Sequence, residues 1–332
     1  MLESIPFIAQ VTIAILIGFV GLIWSADRFV GGAASIARSL GVAPLIIGLT
    51  IVSFGTSAPE IMVSISASLK GAGDLAVGNA LGSNIANIGL VLAATTIVAT
   101  IPVQRHILHH ELPILLLITG LSGYFLFDAT LTWVEGVILL GMIAPALLYL
   151  VRVKQREFTA TEIAEEEEMA DMPRNHAIMW FVIGLVMLMV SSEVLVWGAR
   201  SAAELAGVSP LIIGLTVIAI GTSLPELAAT MISALKGHHD IALGNIIGSN
   251  MFNLMAVMAI PGIVSTTTME NSVFSRDYLV MLGLTLLLAL LIVKTLWFNR
   301  KTKDAAIGRW VGVTLLCGYI GYYVVLFQTT TS

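Results

Sequence analysis

Residues 41–87 read GVAPLIIGLTIVSFGTSAPEIMVSISASLKGAGDLAVGNALGSNIAN, and residues 207–253 read GVSPLIIGLTVIAIGTSLPELAATMISALKGHHDIALGNIIGSNMFN. The second copy follows the first at a constant offset of 166 residues without a gap, and 25 of the 47 positions are identical. Self-similarity at a fixed offset marks a duplicated structural unit. Packing between apolar helices would keep Gly and Ala at matched positions. It does not explain matched Glu, Thr, Ser and Asn. Upstream the likeness fades, but one acidic pair survives at the same offset, Asp27 with Glu193.

The copies lie in a chain that is 57% hydrophobic and 11% charged over 332 residues, a composition suited to a bilayer rather than to a soluble core. Ten stretches of at least 16 residues contain no Asp, Glu, Lys or Arg: 4–26, 39–59, 75–104, 112–127, 136–151, 177–192, 205–225, 241–269, 278–293 and 310–332. A helix needs about 20 residues to cross the hydrocarbon, and most of these stretches reach that length once their flanks snorkel. Ten transmembrane helices are expected. The first stretch has Glu3 ahead of it and no basic residue, so it reads as a retained span rather than a secretory signal. The single cysteine, Cys317, excludes an intrachain disulfide framework, and the absence of a basic tract excludes nucleic acid as a partner. No obligate protein partner is evident; the lipid bilayer is the expected surrounding.

The first copy begins in span 2 and the second in span 7, an odd number of crossings apart, so the two run in opposite directions. The expected fold is an all-α polytopic membrane protein of two inverted five-helix repeats. The first repeat occupies 1–151 with its conserved segment at 41–98, the second 177–332 with its segment at 207–264, and an acidic cytoplasmic linker spans 152–176. Inverted repeats of this kind build transporters with a shared site near the midplane. Basic residues favour the cytoplasmic side of membrane helices. With the N-terminus outside, twelve of them face the cytoplasm, Arg38 and Arg105 among them, and only Lys70, Arg200 and Arg276 face out. Both termini are therefore expected on the periplasmic side of the cell (inner) membrane.

In both copies a Gly-Thr-Ser triplet runs into Pro and Glu: Gly55, Thr56, Ser57, Pro59 and Glu60, then Gly221, Thr222, Ser223, Pro225 and Glu226. Proline removes a donor and clashes with the carbonyl four residues back, so each helix should break there and free Gly55 and Gly221 carbonyls to face a cavity. Thr50, Ser53, Ser57, Glu60 and Ser64 recur at near-helical spacing and share one face. An intramembrane carboxylate is costly, so Glu60 and Glu226 are functional candidates by default. Asn79, Ser83 and Asn87 share a face of span 3, as do Asn245, Ser249 and Asn253 of span 8. Asn79 and Asn245 could serve as ligands or as ties between broken helices. Gly78, Gly82, Gly244 and Gly248 form small-xxx-small patterns suited to close helix packing.

The candidate ligands are all oxygen atoms, which suits a hard cation; Ca²⁺ takes about 6–8 such ligands in flexible geometry. Softer metals would want His or Cys, and all six histidines fall at span ends or in loops. The same placement removes the base or zinc ligand that an intramembrane protease would need.

These motifs, GTSxPE and GNxxGSNxxN in both copies, resemble the α-repeats of the calcium/cation antiporter superfamily, and especially its compact prokaryotic sodium/calcium exchangers. The resemblance implies exchange of Ca²⁺ for Na⁺, with both ions as cargo and no resident cofactor. It implies that Glu60 and Glu226 are the central Ca²⁺ ligands, helped by Thr56 and Thr222. Ser57, Ser223, Ser83 and Ser249 would help form flanking Na⁺ sites, with Ser53, Asn87 and Asn253 completing the oxygen-rich faces. Some family members carry Asp where this chain has Asn253. K⁺ or H⁺ could join or replace Na⁺ as the coupling ion, and a passive cation channel could use the same oxygens.

Overall fold

The computed structural model describes residues 6–157, 172–208, 217, 219–298 and 305–331. The acidic run of the linker and much of the first half of span 7 lie outside the described residues. Helices α1 (Phe7–Leu40), α4 (Gly73–Val98), α6 (Trp133–Lys154), α7 (Arg174–Leu205), α10 (His239–Val264) and α11 (Val273–Phe298) are long and apolar enough to cross a membrane. So is α12 (Arg309–Thr331), whose apolar part is Arg309–Gln328. Among the described residues this gives seven such helices, or eight when α2 (Pro44–Thr56) and α3 (Ala58–Leu69) count as one bent span. Shorter helices complete the chain: α5 (Leu112–Leu126), α8 (Ala219–Thr222) and α9 (Leu224–Leu235).

The expected break in span 2 is present. α2 and α3 meet at 44°, and Ser57 at the joint has φ −82° and ψ 5°. Pro59 thereby falls in the first turn of α3, where its missing N–H would have had no helical partner. Pro225 opens α9 in the same way after Ser223, with φ −90° and ψ 5°. α4 and α10 are the innermost helices, and each widens to an i→i+5 pattern at one place, beginning at Asn87 and at Asn253. Such local widening is frequent at functional positions of helices.

Two pairings organise the rest. α1 and α7 run antiparallel in contact along most of their length, and glycines at matched positions permit it. A Cβ on Gly18 would stand 2.7 Å from Leu195 N and one on Gly184 2.5 Å from Phe29 N. Further along, a Cβ on Gly32 would stand 2.6 Å from Phe181 N and one on Gly198 2.8 Å from Ile15 Cγ1. Gly18 and Gly184, like Gly32 and Gly198, are separated by the repeat offset of 166. Each half therefore supplies the same two glycines to one shared seam. The other pairing sets α2 on α10, where Gly48, Gly244 and Gly248 let backbone meet backbone; a Cβ on Gly244 would stand 2.7 Å from Leu45 O. The packing reading of Gly244 and Gly248 thus holds, whereas Gly78 and Gly82 meet nothing within 4 Å among the described residues.

Two short antiparallel ladders tie the halves at the helix ends. β1 (Ile101–Pro102) pairs with β4 (Ala306–Ile307), and β2 (Thr130–Leu131) with β3 (Thr267–Thr268). Each ladder joins one strand from each half. One core cluster fills the space among α4, α5, α10, α11 and α12, and a second lies along α1, α2, α7 and α9.

The seam supports a stability prediction. Gly184→Leu forces a large side chain against the Phe29 backbone and should cost about 1–3 kcal/mol, as overpacking does. Gly120→Leu, at an exposed position with nothing within 4 Å, should leave the protein unchanged. Thermal unfolding of the two variants in detergent checks the difference.

Candidate functional site

Breaking a helix at Pro59 and again at Pro225 places a glutamate in the first turn of a new helix, Glu60 on α3 and Glu226 on α9. Free backbone N–H groups and the positive end of the helix dipole favour a carboxylate in that position by about 0.3–1 kcal/mol. Both side chains are 1% exposed. Their charges lie within reach of each other, and among the described residues neither pairs with a lysine or arginine.

Each carboxylate is held by one oxygen. Ser57 Oγ, at the joint of the first half, donates to Glu226 Oε1 at 3.1 Å, so the break of one half clasps the acid of the other. Ser83 Oγ on α4 donates to Glu60 Oε1 at 3.5 Å. Among the described residues, Glu60 Oε2 and Glu226 Oε2 are buried without a protein hydrogen bond, as are Ser223 Oγ and both amide atoms of Asn87 and of Asn253. The glutamate and asparagine atoms come from matched positions of the two halves, whereas the match of Ser223, Ser57, is bonded to Glu226. Buried polar atoms normally find partners, and unpartnered oxygen donors of this kind are the type that a hard cation takes.

Thr56 is fully buried; its Oγ1 donates to Asn245 Oδ1 at 3.0 Å and lies 3.4 Å from Ser249 Oγ. Ser53 is buried where α2 meets Gly248 and donates back to Thr50 O at 3.2 Å. Thr222 is half-buried. Thr50 turns its hydroxyl onto Ile46 O at 2.6 Å, which commits it to its own helix.

For Asn79 and Asn245 the hydrogen bonds favour the tie. Asn79 Nδ2 donates to the Glu60 carbonyl at 3.3 Å, and Asn245 Nδ2 donates to Thr230 Oγ1 at 2.9 Å while its oxygen receives Thr56. Asn245 thereby links α2 to α9 across α10. Two supports, Thr230 and Ser192, were not singled out by sequence reasoning. Thr230 matches Ser64 at the repeat offset, so its place below Glu226 was readable from the glutamate-bearing face of span 2. Ser64 Oγ itself donates to Val257 O at 2.7 Å. Ser192 Oγ donates at 3.1 Å to the Gly221 carbonyl, the one expected to be freed by Pro225. No sequence pattern signals Ser192, because its match in the first half is Ala26. Asn84 Nδ2 donates to Asn250 O at 3.2 Å, which ties α4 to α10.

Comparison with known proteins follows the same lines. Residues 10–152 and 176–328 match the family described as Sodium/calcium exchanger protein. The chain is 47% identical to the putative antiporter CaxA of Alkalimonas amylolytica over 96% of this chain and 99% of that one. It is 30% identical to the sodium/calcium exchanger MaX1 of Methanosarcina acetivorans over 94% and 97%. Among solved structures, the sodium-calcium exchanger NCX_Mj, soaked without Na⁺ and Ca²⁺, superposes with a TM-score of 0.80 at 30% identity, covering 96% of this chain and 100% of that one. This chain is a multi-pass membrane protein and belongs to the sodium/calcium exchanger family of antiporters.

Proposed function

We propose that this chain exchanges Ca²⁺ for Na⁺ by alternating access, at one site where Glu60 and Glu226 share the cation. The observation that carries the reading is the pair of buried carboxylates, each on a broken helix of a different half, each with one oxygen held by a serine and one left open. Ionised acids buried without a protein cation are unstable in isolation. A divalent cation, or two monovalent ones, balances them, so the two ions compete for the same negative charge. That competition is what couples their movement in opposite directions.

In this reading Thr56 and Thr222 add oxygens from the breaks, Ser57, Ser223, Ser83 and Ser249 line the flanking positions for Na⁺, and Ser53, Asn87 and Asn253 border the site. With Asn at both 87 and 253 the site carries two acids and no third. Ten spans in two inverted repeats, 1–151 and 177–332 on either side of the 152–176 linker, place both termini outside the inner membrane. α1 and α7, joined by their glycine seam, form the body that moves across α2–α4 and α8–α10. The asymmetric contacts of these two helices with α3 and α9 support that assignment.

The test is ⁴⁵Ca²⁺ uptake into proteoliposomes loaded with Na⁺, with K⁺, or with choline, and separately under a pH gradient. Uptake should require the outward Na⁺ gradient; uptake driven by the pH gradient alone would make the coupling ion H⁺, and indifference to every gradient would make the protein a channel. Glu60→Gln and Glu226→Gln should each abolish exchange while the protein still unfolds cooperatively at a similar temperature. Ser57→Ala removes a hydrogen bond to a charged acceptor worth about 1.5–3 kcal/mol, so the Ca²⁺ concentration giving half-maximal uptake should shift by roughly tenfold or more. Protons compete for the same carboxylates, so exchange should weaken steadily as the pH is lowered on both sides of the membrane; a flat profile would contradict the two-carboxylate site.

A further inference from the structure

The two halves match in sequence but do not make the same contacts. α1 packs along α9, with Leu224, Ala228 and Ile232 set against the cluster that contains Ala26, Phe29, Val30 and Ala33. The matched face of α3, at Ala58, Met62 and Ser66, has no such cover: Met62 is 61% exposed and Ser66 is exposed, and α7 makes no comparable contact with α3. The difference extends to charge. At the C-terminal end of α9, Lys236 Nζ lies 2.6 Å from Asp27 Oδ1 of α1 and 3.4 Å from the Asp27 carbonyl. The matched residues at the offset of 166 are Lys70 at the end of α3 and Glu193 on α7. They have the same charges in the same positions, yet both are exposed and among the described residues they form no ion pair.

We propose that Asp27–Lys236 is one half of a reciprocal latch whose other half, Glu193–Lys70, closes in the opposite-facing state, so that the α1–α7 body is fastened to α9 in one state and to α3 in the other. The inference rests on the alternating-access reading. Its physical basis is the pseudo-symmetry: exchanging the roles of two near-identical halves exchanges equivalent interfaces, so the arrangement seen here has a counterpart of comparable energy. The glycine seam keeps α1 and α7 together as they shift, because matched glycines hold both halves of it.

A latch must open in every cycle, and this one is weak enough. The Lys236 and Asp27 side chains are 35% and 42% exposed, and pairs of that exposure bias an equilibrium by only about two- to fivefold. His238, two residues on, is held below the ordinary imidazole range by burial first and then by Lys236 and His239. It stays neutral near pH 7, which leaves Lys236 as the cation that Asp27 meets.

The chain has one cysteine, the exposed Cys317, so Cys317→Ala gives a background for paired cysteines. Asp27→Cys with Lys236→Cys, and separately Glu193→Cys with Lys70→Cys, are treated with a short, reducible bifunctional thiol reagent in proteoliposomes while Na⁺-driven ⁴⁵Ca²⁺ uptake is followed. Both pairs should link, each link should cut exchange at least tenfold, and reduction should restore it. Adding Lys236→Gln to the Glu193/Lys70 cysteine pair should speed its linking about two- to fivefold, and Asp27→Lys with Lys236→Asp in the same background should return the rate. Linking of the Asp27/Lys236 pair alone, linking of Glu193/Lys70 without loss of exchange, or a rate indifferent to Lys236→Gln overturns the latch. If the unlinked protein shows no Na⁺-driven uptake, the exchange reading fails instead, and the linking pattern still reports whether the two conformations exist.

Discussion

Two glutamates buried within reach of each other and, among the described residues, without a basic partner constrain much else in this protein. A carboxylate at 1% exposure inside an apolar body must be compensated, and here helix first turns and serine hydroxyls supply part of the compensation, with the cation of the proposed exchange supplying the rest. That requirement explains the proline in each break, since an unbroken helix would offer neither free N–H groups nor a joint where Ser57 can cross to Glu226. It fits the burial of α4 and α10, which carry the Ser83 hydroxyl that holds Glu60 and the buried amides of Asn87 and Asn253. It also explains why glycines recur at matched places. Only close backbone contact, as between Gly48 and Gly244, brings two polar faces together without leaving a space for lipid.

Pseudo-symmetry supplies the second constraint. Each half contributes the same motif, but among the described residues the serine clasp is made one way only: Ser57 holds Glu226, while Ser223 Oγ has no partner there and Glu60 is held by Ser83. The uneven contacts of α1 and α7 with α9 and α3 go the same way. A duplicated sequence in an asymmetric arrangement suits the proposed alternating access, in which a second state uses the same residues in exchanged roles.

Much of this was legible in the chain itself. The offset of 166 located both breaks, both acids and the oxygen faces, because a buried charge and its helix-breaking proline are visible as exceptions within apolar runs. The long helices were legible for the same reason. What the sequence left open was which polar atoms satisfy one another. Asn79 and Asn245 read equally as ligands or ties, and only their bonds to the Glu60 carbonyl, Thr230 and Thr56 separate the two. Thr50 lay on the right face but spends its hydroxyl on its own helix, a local choice no periodicity records. Ser192 has no counterpart in the first half and so no repeat signal. Helix count is read differently by the two routes: ten charge-free stretches stand against seven or eight sufficiently long helices among the described residues, because α5 and α9 are short and part of span 7 lies outside them.

The central claim is that Glu60 and Glu226 share one cation for which Ca²⁺ and Na⁺ compete. Equilibrium ⁴⁵Ca²⁺ binding to the purified protein in detergent, titrated with Na⁺ and separately with choline, tests it most directly. The account predicts one Ca²⁺ per chain, displaced by Na⁺ with a steeper-than-hyperbolic dependence and unaffected by choline, since more than one Na⁺ is needed to match the same charge. Two independent Ca²⁺ sites, or binding that Na⁺ does not displace, would contradict it.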